Sequence, residues 1–305
     1  MTTRDNVDDA VAARPGRTPR PSRLGAWRRD RRLLYGVVPA VLLLIVFAYP
    51  IVRMFLLSFT SFLDPSGSGL DNYRWFLGSS VELRILRRTF EFAFVVTLAC
   101  FVLGFPYAYL MSISGRKARL LLLGLVLAPY WTSLIVRTYA WLILLQDNGP
   151  VVNAIKHLGL GTPHIIDTPT AVTIGMTQVM LPFMIFPLYV AMVGIDRRLL
   201  LAAQSLGASP RIAFLKVYVP LALPGIVAGA TIVFIVSLGF YFTPALLGSN
   251  GSSMISQQIV QQVTKLLAFG RGGAIGLVLL VVTLLILAVA ARFLRPLTRA
   301  VNGKG

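Results

Sequence analysis

Six apolar stretches, each 21 to 26 residues long, constrain this chain more than any other feature. They lie near 33–57, 90–113, 120–145, 170–195, 222–247 and 274–294. A bilayer core about 30 Å thick is crossed by about 20 helical residues at about 1.5 Å each, so every window is long enough, or nearly so, to span it. In hydrocarbon a spanning backbone must satisfy its own hydrogen bonds, which leaves helices for segments of this length. Composition agrees: of 305 residues 56% are hydrophobic and 13% charged, with mean hydropathy +0.76. That is too little charge to clothe a water-soluble domain of this size. The expected fold is an all-α integral membrane protein with six transmembrane helices, occupying roughly 33–295.

The formal net charge of +18 would suit nucleic acid if it were clustered, but the 29 basic residues are spread among the loops and report topology instead. With the N-terminus inside, 20 Lys and Arg fall on cytoplasmic segments, seven outside, and two, Arg53 and Arg137, within spans. The expected orientation is N-terminus and C-terminus cytoplasmic, with no nucleic-acid partner. One outer segment runs against the rule: Arg74, Arg84, Arg87 and Arg88 precede the second span, mixed with Glu82 and Glu91. It reads as an interfacial stretch.

Residues 1–32 carry nine Arg, four Asp and three Pro without a sizeable apolar run, the composition of a disordered cytoplasmic tail. Residues 296–305 form a second, short basic tail. The first apolar window exceeds a signal-peptide core and no convincing small-x-small site follows it, so it reads as a retained span. The single cysteine, Cys100, excludes an intrachain disulfide and reads as a packing residue.

Several spans are interrupted, by Pro129 in the third, Pro182 and Pro187 in the fourth and Pro244 in the fifth. Proline removes a backbone donor, and the freed carbonyls are tolerated at membrane depth only against protein or a wet cavity. Gly225 with Gly229, and Gly272 with Gly276, form GxxxG pairs that permit close helix contact. In the outer loop 253–269, Ile255, Ile259, Val263, Leu266 and Leu267 recur at helical spacing, with four glutamines mostly opposite. This describes a short amphipathic helix, lying on the membrane, against a partner, or as cover for the bundle.

The chain lacks a GxxxxGK[ST] phosphate loop, an HExxH helix and a GxSxG elbow, so neither nucleotide hydrolysis nor another enzymatic activity is expected, and no catalytic residue is assigned. His157 and His164 share an outer loop without ligand spacing, and no metal site is expected. An ion-coupled carrier ordinarily holds an acid deep in a span, and none is present; a channel, a membrane enzyme and a scaffold are weaker alternatives. Of the two intramembrane charges, Arg137 lies in "APYWTSLIVRTYAWLILL". It reads either as a pathway or gate residue, or as a clamp to Glu91 or to carbonyls freed at the kink. Tyr130, Trp131, Tyr139 and Trp141 around it would line a cavity or form an aromatic belt.

The stretch "LLAAQSLGASPRIAFLKVYVPLALPGI", residues 200–226, is a hydrophilic elbow between two spans. Ala202 and Ala203 favour helix, Gly207 allows positive φ and ends it, and Ser209 with Pro210 cap and start the next. Arg197, Arg198, Arg211 and Lys216 place it in the cytoplasm, and Ile212, Phe214 and Leu215 supply apolar anchors for a grooved partner.

The spacing Ala202-Ala203, three residues, Gly207, nine residues, Val217-x-x-Pro220 resembles the EAA loop of permease subunits of bacterial ATP-binding cassette importers. With "GIDRRLLLAAQSLGAS", "GFYFTPALLGS", "SLIVRTYAW" and "MISQQIVQQV", the chain is similar to the spermidine/putrescine type of that family over roughly 33–295. The resemblance implies a type I importer fold in the bacterial inner membrane. It implies partners: an ATPase dimer that binds ATP and Mg, a second permease, a paralogue rather than a second copy, and a periplasmic or lipid-anchored binding protein. It implies alternating access, with a coupling loop at about 197–220 built on Leu201, Ala202, Ala203, Gly207, Ala208, Ser209, Pro210, Val217 and Pro220. The implied cargo is a polyamine, putrescine or spermidine; related importers of this build suggest aminoethylphosphonate, opines, 4-aminobutyrate, small amino acids or ferric ion instead. Two positions depart from the pattern. Leu201 stands where the motif has Glu, so docking must lean on packing, Asp196 or the basic residues. Phe240 stands where many relatives carry an acid, leaving a dication to a charge from the partner permease or to the ring faces of Phe240 and Tyr241.

Overall fold

The structure is a computed structural model that describes residues 23–60 and 69–301, with side chains described at 39–60, 69–249 and 251–292. Every regular element among these residues is helical. In chain order they are α1 (Arg23–Ser58), α2 (Asp71–Gly78), α3 (Ser80–Ile113), α4 (Arg116–Leu127), α5 (Leu134–Leu145), α6 (Pro150–His157), α7 (Pro169–Val193), α8 (Arg198–Ser205), α9 (Pro210–Ala213), α10 (Val219–Leu238), α11 (Phe242–Leu247), α12 (Ile255–Val260) and α13 (Phe269–Val301). The chain divides into two units, residues 1–53 and 54–305. The N-terminal tail lies outside the described residues up to position 22, and α1 begins at Arg23. Within the first unit, the Arg53 guanidinium sits 6.0 Å from the Tyr49 ring centroid, one turn back on the same helix.

Among the described residues five helices are long and apolar enough to cross a membrane, and a sixth crossing forms if the bent pair Arg116–Trp131 and Leu134–His157, which holds α4, α5 and α6, counts as one broken span. That break is sharper than the sequence suggests. A short 3₁₀ turn at Ala128–Trp131, opened by Pro129, ends the first half. Ser133 then caps α5, accepting from the Ile135 N–H at 3.3 Å, and the two halves meet at 96°. The fifth apolar window also differs from expectation. It spans only to Leu238; Gly239 ends α10, and the apolar residues beyond fold back as α11 against α5 and α7. Hydropathy does not distinguish a spanning run from one that turns back into protein.

The core of the second unit is the triangle of α3, α7 and α10. Met176, Met180, Met184, Ile185 and Leu188 of α7 are buried within it. Close approach depends on glycine. A Cβ at Gly225 would lie 2.5 Å from Ala191 Cβ and 2.7 Å from the Pro187 carbonyl oxygen, and one at Gly229 2.9 Å from Met184 Sδ. The first GxxxG pair is thus the α7–α10 contact, while Gly272 of the second packs against Val263. Cys100 is buried, its thiol 3.6 Å from the Thr177 carbonyl.

The end of the bundle opposite the elbow is tied by α2. Asn72 donates to the Ser58 and Thr60 carbonyls at 2.9 and 2.8 Å, taking up orphan acceptors at the end of α1. The amphipathic loop helix forms as α12, continued by a π-turn at Gln261–Lys265. It is cover for the bundle more than surface: Met254, Ile255 and Ser256 are buried, and the Ile255 N–H donates to Thr89 of α3 at 2.9 Å.

Candidate coupling elbow and pathway residues

The elbow is built by local rules. α8 ends in a Schellman turn: Gly207, at φ +91°, donates to the Gln204 carbonyl at 2.9 Å, and the Ala208 N–H donates to that of Ala203 at 3.1 Å. Ser209 then accepts from the Ile212 N–H at 3.4 Å with Pro210 at the first helical position. A π-turn at Phe214–Tyr218 joins this short helix to α10 just before Pro220, which has no N–H to offer the preceding turn. Val217 lies inside that turn.

The elbow's inner face is bolted to the bundle. Phe214 and Tyr218 stack at 5.2 Å, and Tyr109 of α3 meets both edge-on at 5.4 Å. Tyr218 and Ser112 share a hydrogen bond at 3.3 Å, and Arg197 donates to the Ser112 carbonyl at 3.1 Å. Phe214, expected as an anchor for a partner, turns inward to the core instead; Tyr109, Ser112 and Tyr218 carry no such expectation, and Tyr109 with Ser112, one helical turn apart at the end of a span, were the available signal. The outer face is greasy. Leu206 is 89% exposed, Leu215 64% and Leu201 62%. Leu201, in place of the motif acid, therefore adds to an apolar knob. Asp196 accepts from the Arg198 N–H at 2.9 Å and stays exposed, one acid among the exposed bases Arg197, Arg198, Arg211 and Lys216.

Of the pathway candidates, the structure brings Tyr130 and Arg137 together across the α4–α5 break, the guanidinium 5.3 Å from the ring centroid. The Tyr130 hydroxyl donates to the Val179 carbonyl of α7 at 3.2 Å. Arg137 Nε and Nη1 are buried and make no hydrogen bond. Glu91 is not its partner. That carboxylate is taken by Arg87, one turn back on α3, at 2.6 Å, an i,i+4 pairing the sequence already offered. Trp131 and Tyr139 are exposed, whereas Trp141 and Phe240 pack against the main core. Tyr241 meets Phe242 edge-on at 5.6 Å. His164 pairs with Asp147 at 2.7 Å in an exposed loop.

A helical bundle with one span broken at 96° and a capped elbow bolted under α3 and α10 defines a class, and sequence comparison agrees. Residues 101–302 match the family described as binding-protein-dependent transport system inner membrane component. The chain belongs to that family, the permease subunits of type I ATP-binding cassette importers, and is a multi-pass inner-membrane protein. Its relatives include the spermidine/putrescine transport system permease protein PotB of Escherichia coli (strain K12), 35% identical over 235 residues, covering 76% of this chain and 85% of that one. PotB of Haemophilus influenzae is 33% identical over 236 residues, covering 74% and 82%. In fold the chain resembles a chain in a crystal structure of a bacterial alginate ABC transporter in complex with an alginate pentasaccharide-bound periplasmic protein. There the TM-score is 0.72 at 18% identity, over 89% of this chain and 96% of that one.

Proposed function

We propose that this chain forms half of the translocation pathway of a polyamine importer, carrying putrescine or spermidine by alternating access. The observation that carries the reading is the elbow, whose exposed leucines on a rigidly capped turn suit docking to a soluble subunit. In this reading a dimeric ATPase, which binds ATP and Mg, receives the knob from the cytoplasm, and both termini of this chain lie on that side. A paralogous permease completes the pathway, and a periplasmic or lipid-anchored binding protein delivers the cargo. The cargo follows from the relatives named spermidine/putrescine permeases.

The test is copurification of an ATPase with this chain, followed by titration of the companion binding protein with putrescine, spermidine, aminoethylphosphonate and 4-aminobutyrate. Polyamine-selective binding that stimulates ATP hydrolysis in the reconstituted complex is expected. One observation favours a second cargo class: the buried, unbonded N–H groups of Arg137 beside Tyr130 suit an anionic or zwitterionic solute better than a dication. Selectivity for aminoethylphosphonate or 4-aminobutyrate would replace the polyamine assignment and keep the importer.

Arg137 is assigned to the pathway on the same ground, because it satisfies no carboxylate and its buried donors are left open. Arg137→Met, which removes those donors while keeping bulk, is expected to leave membrane abundance within about twofold while uptake falls roughly tenfold or more. Loss of the protein from the membrane would make Arg137 a structural clamp instead.

A further inference from the structure

We propose that the groove between the first turns of α7 and the neighbouring turns of α3 binds an anionic phospholipid, its phosphate on Arg88 and its acyl chain along Phe92, Val95 and Ile174. The groove has a volume of about 470 Å³, with Phe92, Val95, Pro169 and Ile174 forming its apolar wall and Arg88, Glu91, Thr170 and Thr173 its polar places. That volume lies within the roughly 300–1,000 Å³ of ordinary ligand sites.

Depth places it at the headgroups. The elbow end of α3 is marked by Ser112, whose carbonyl takes Arg197. About 20 helical residues back along α3, the hydrocarbon thickness, the chain has reached Phe92. Arg88 and Arg84 therefore stand at the level of lipid phosphates, at the end of the bundle opposite the elbow. The two are spaced i,i+4 and so share one face of α3.

Charge selects the occupant. Glu91 also lines the groove, but Arg87 holds its carboxylate at 2.6 Å, and Arg74 pairs with Asp71 at 3.7 Å. Arg84 and Arg88 have no carboxylate within salt-bridge distance among the described residues. The rim on the α7 side is that helix's N-terminus, whose dipole also favours an anion. A greasy trough with uncompensated guanidinium charge at its mouth fits a phosphodiester carrying an alkyl chain. It also accounts for arginines that the topology rule leaves unexplained on this side. The proposal depends on the membrane level of the groove and not on the solute carried, so it stands or falls separately from the polyamine reading.

The experiment is native mass spectrometry of the chain, purified with its copurifying subunits, after addition of dioleoyl-phosphatidylglycerol or dioleoyl-phosphatidylethanolamine at equal concentration. The wild type is expected to retain phosphatidylglycerol over phosphatidylethanolamine by roughly fivefold. The double variant R84Q/R88Q should lose that preference, and V95W, which fills the trough but keeps both arginines, should lose the bound lipid. Equal retention of the two lipids by the wild type overturns the proposal. So does an unchanged preference in R84Q/R88Q or undiminished retention in V95W. A disulfide cross-link from T173C to a second protein chain would also overturn it, by assigning the groove to a subunit interface.

Discussion

Replacing Gly207 by proline is expected to leave the chain in the membrane at near-normal abundance while uptake falls roughly tenfold or more and ATP hydrolysis continues, uncoupled from transport. The residue sits at φ +91°, far from the φ near −65° that proline enforces. Proline also removes the N–H that Gly207 donates to Gln204 at 2.9 Å. Both ends of the turn would open and the leucine knob would lose its aim. The damage stays local because the elbow is held to the bundle by Arg197, Phe214 and Tyr218 through contacts that do not use the Gly207 N–H. Gly207→Ala supplies the control. A Cβ there meets nothing within 4 Å, so its cost is the left-handed conformation alone, about 1–2 kcal/mol, and coupling should largely survive. Coupled transport by the proline variant at normal stoichiometry would remove the elbow from the mechanism.

The second large effect is expected in the membrane interior. Gly225→Leu should deplete the folded protein from the membrane and lower the unfolding temperature of whatever remains. Its Cβ alone would come 2.7 Å from the Pro187 carbonyl oxygen and 3.2 Å from Leu188 Cα. These are backbone atoms that do not swing aside, so α10 must move off α7. Overpacking of this kind costs about 1–3 kcal/mol even where side chains adapt. Gly124→Leu, at a site where an added Cβ would meet nothing within 4 Å, should accumulate normally. Membrane abundance and thermal unfolding in detergent measure both, and wild-type behaviour of Gly225→Leu would mean that α7 and α10 are not in close contact.

What the sequence disclosed, and what it withheld, follows from the physics of each feature. Span positions were legible because hydrocarbon thickness sets a length that hydropathy reports directly. The elbow was legible because glycine at a left-handed position, serine as a cap and proline at a first turn each carry local meaning. The α4–α5 break was half legible: Pro129 announced a bend, but nothing local encodes its 96°. The fifth span was overextended by the apolar chain between Leu238 and Leu247, since burial against α5 and α7 and burial in lipid demand the same side chains. Arg137 with Tyr130 was withheld because the pair meets across the break, where helical spacing does not apply. Glu91 pairs instead with Arg87, one turn away, because an i,i+4 neighbour on the same helix needs no tertiary contact to meet it.

The bolts under the elbow have a mechanical corollary. Stacked rings at 5.2 Å and a guanidinium on the last turn of α3 join the elbow and the adjoining ends of α3 and α10 into one stiff block. Displacement applied there is not absorbed where it enters; it travels until it meets compliance. The softest places on the route are where the backbone ladder is already cut, at Pro182 and Pro187 of α7 and at the Thr132–Ser133 corner. Deformation should therefore concentrate halfway across the membrane, beside Arg137 and Tyr130, and a push at one surface would emerge as a change of bend at mid-depth.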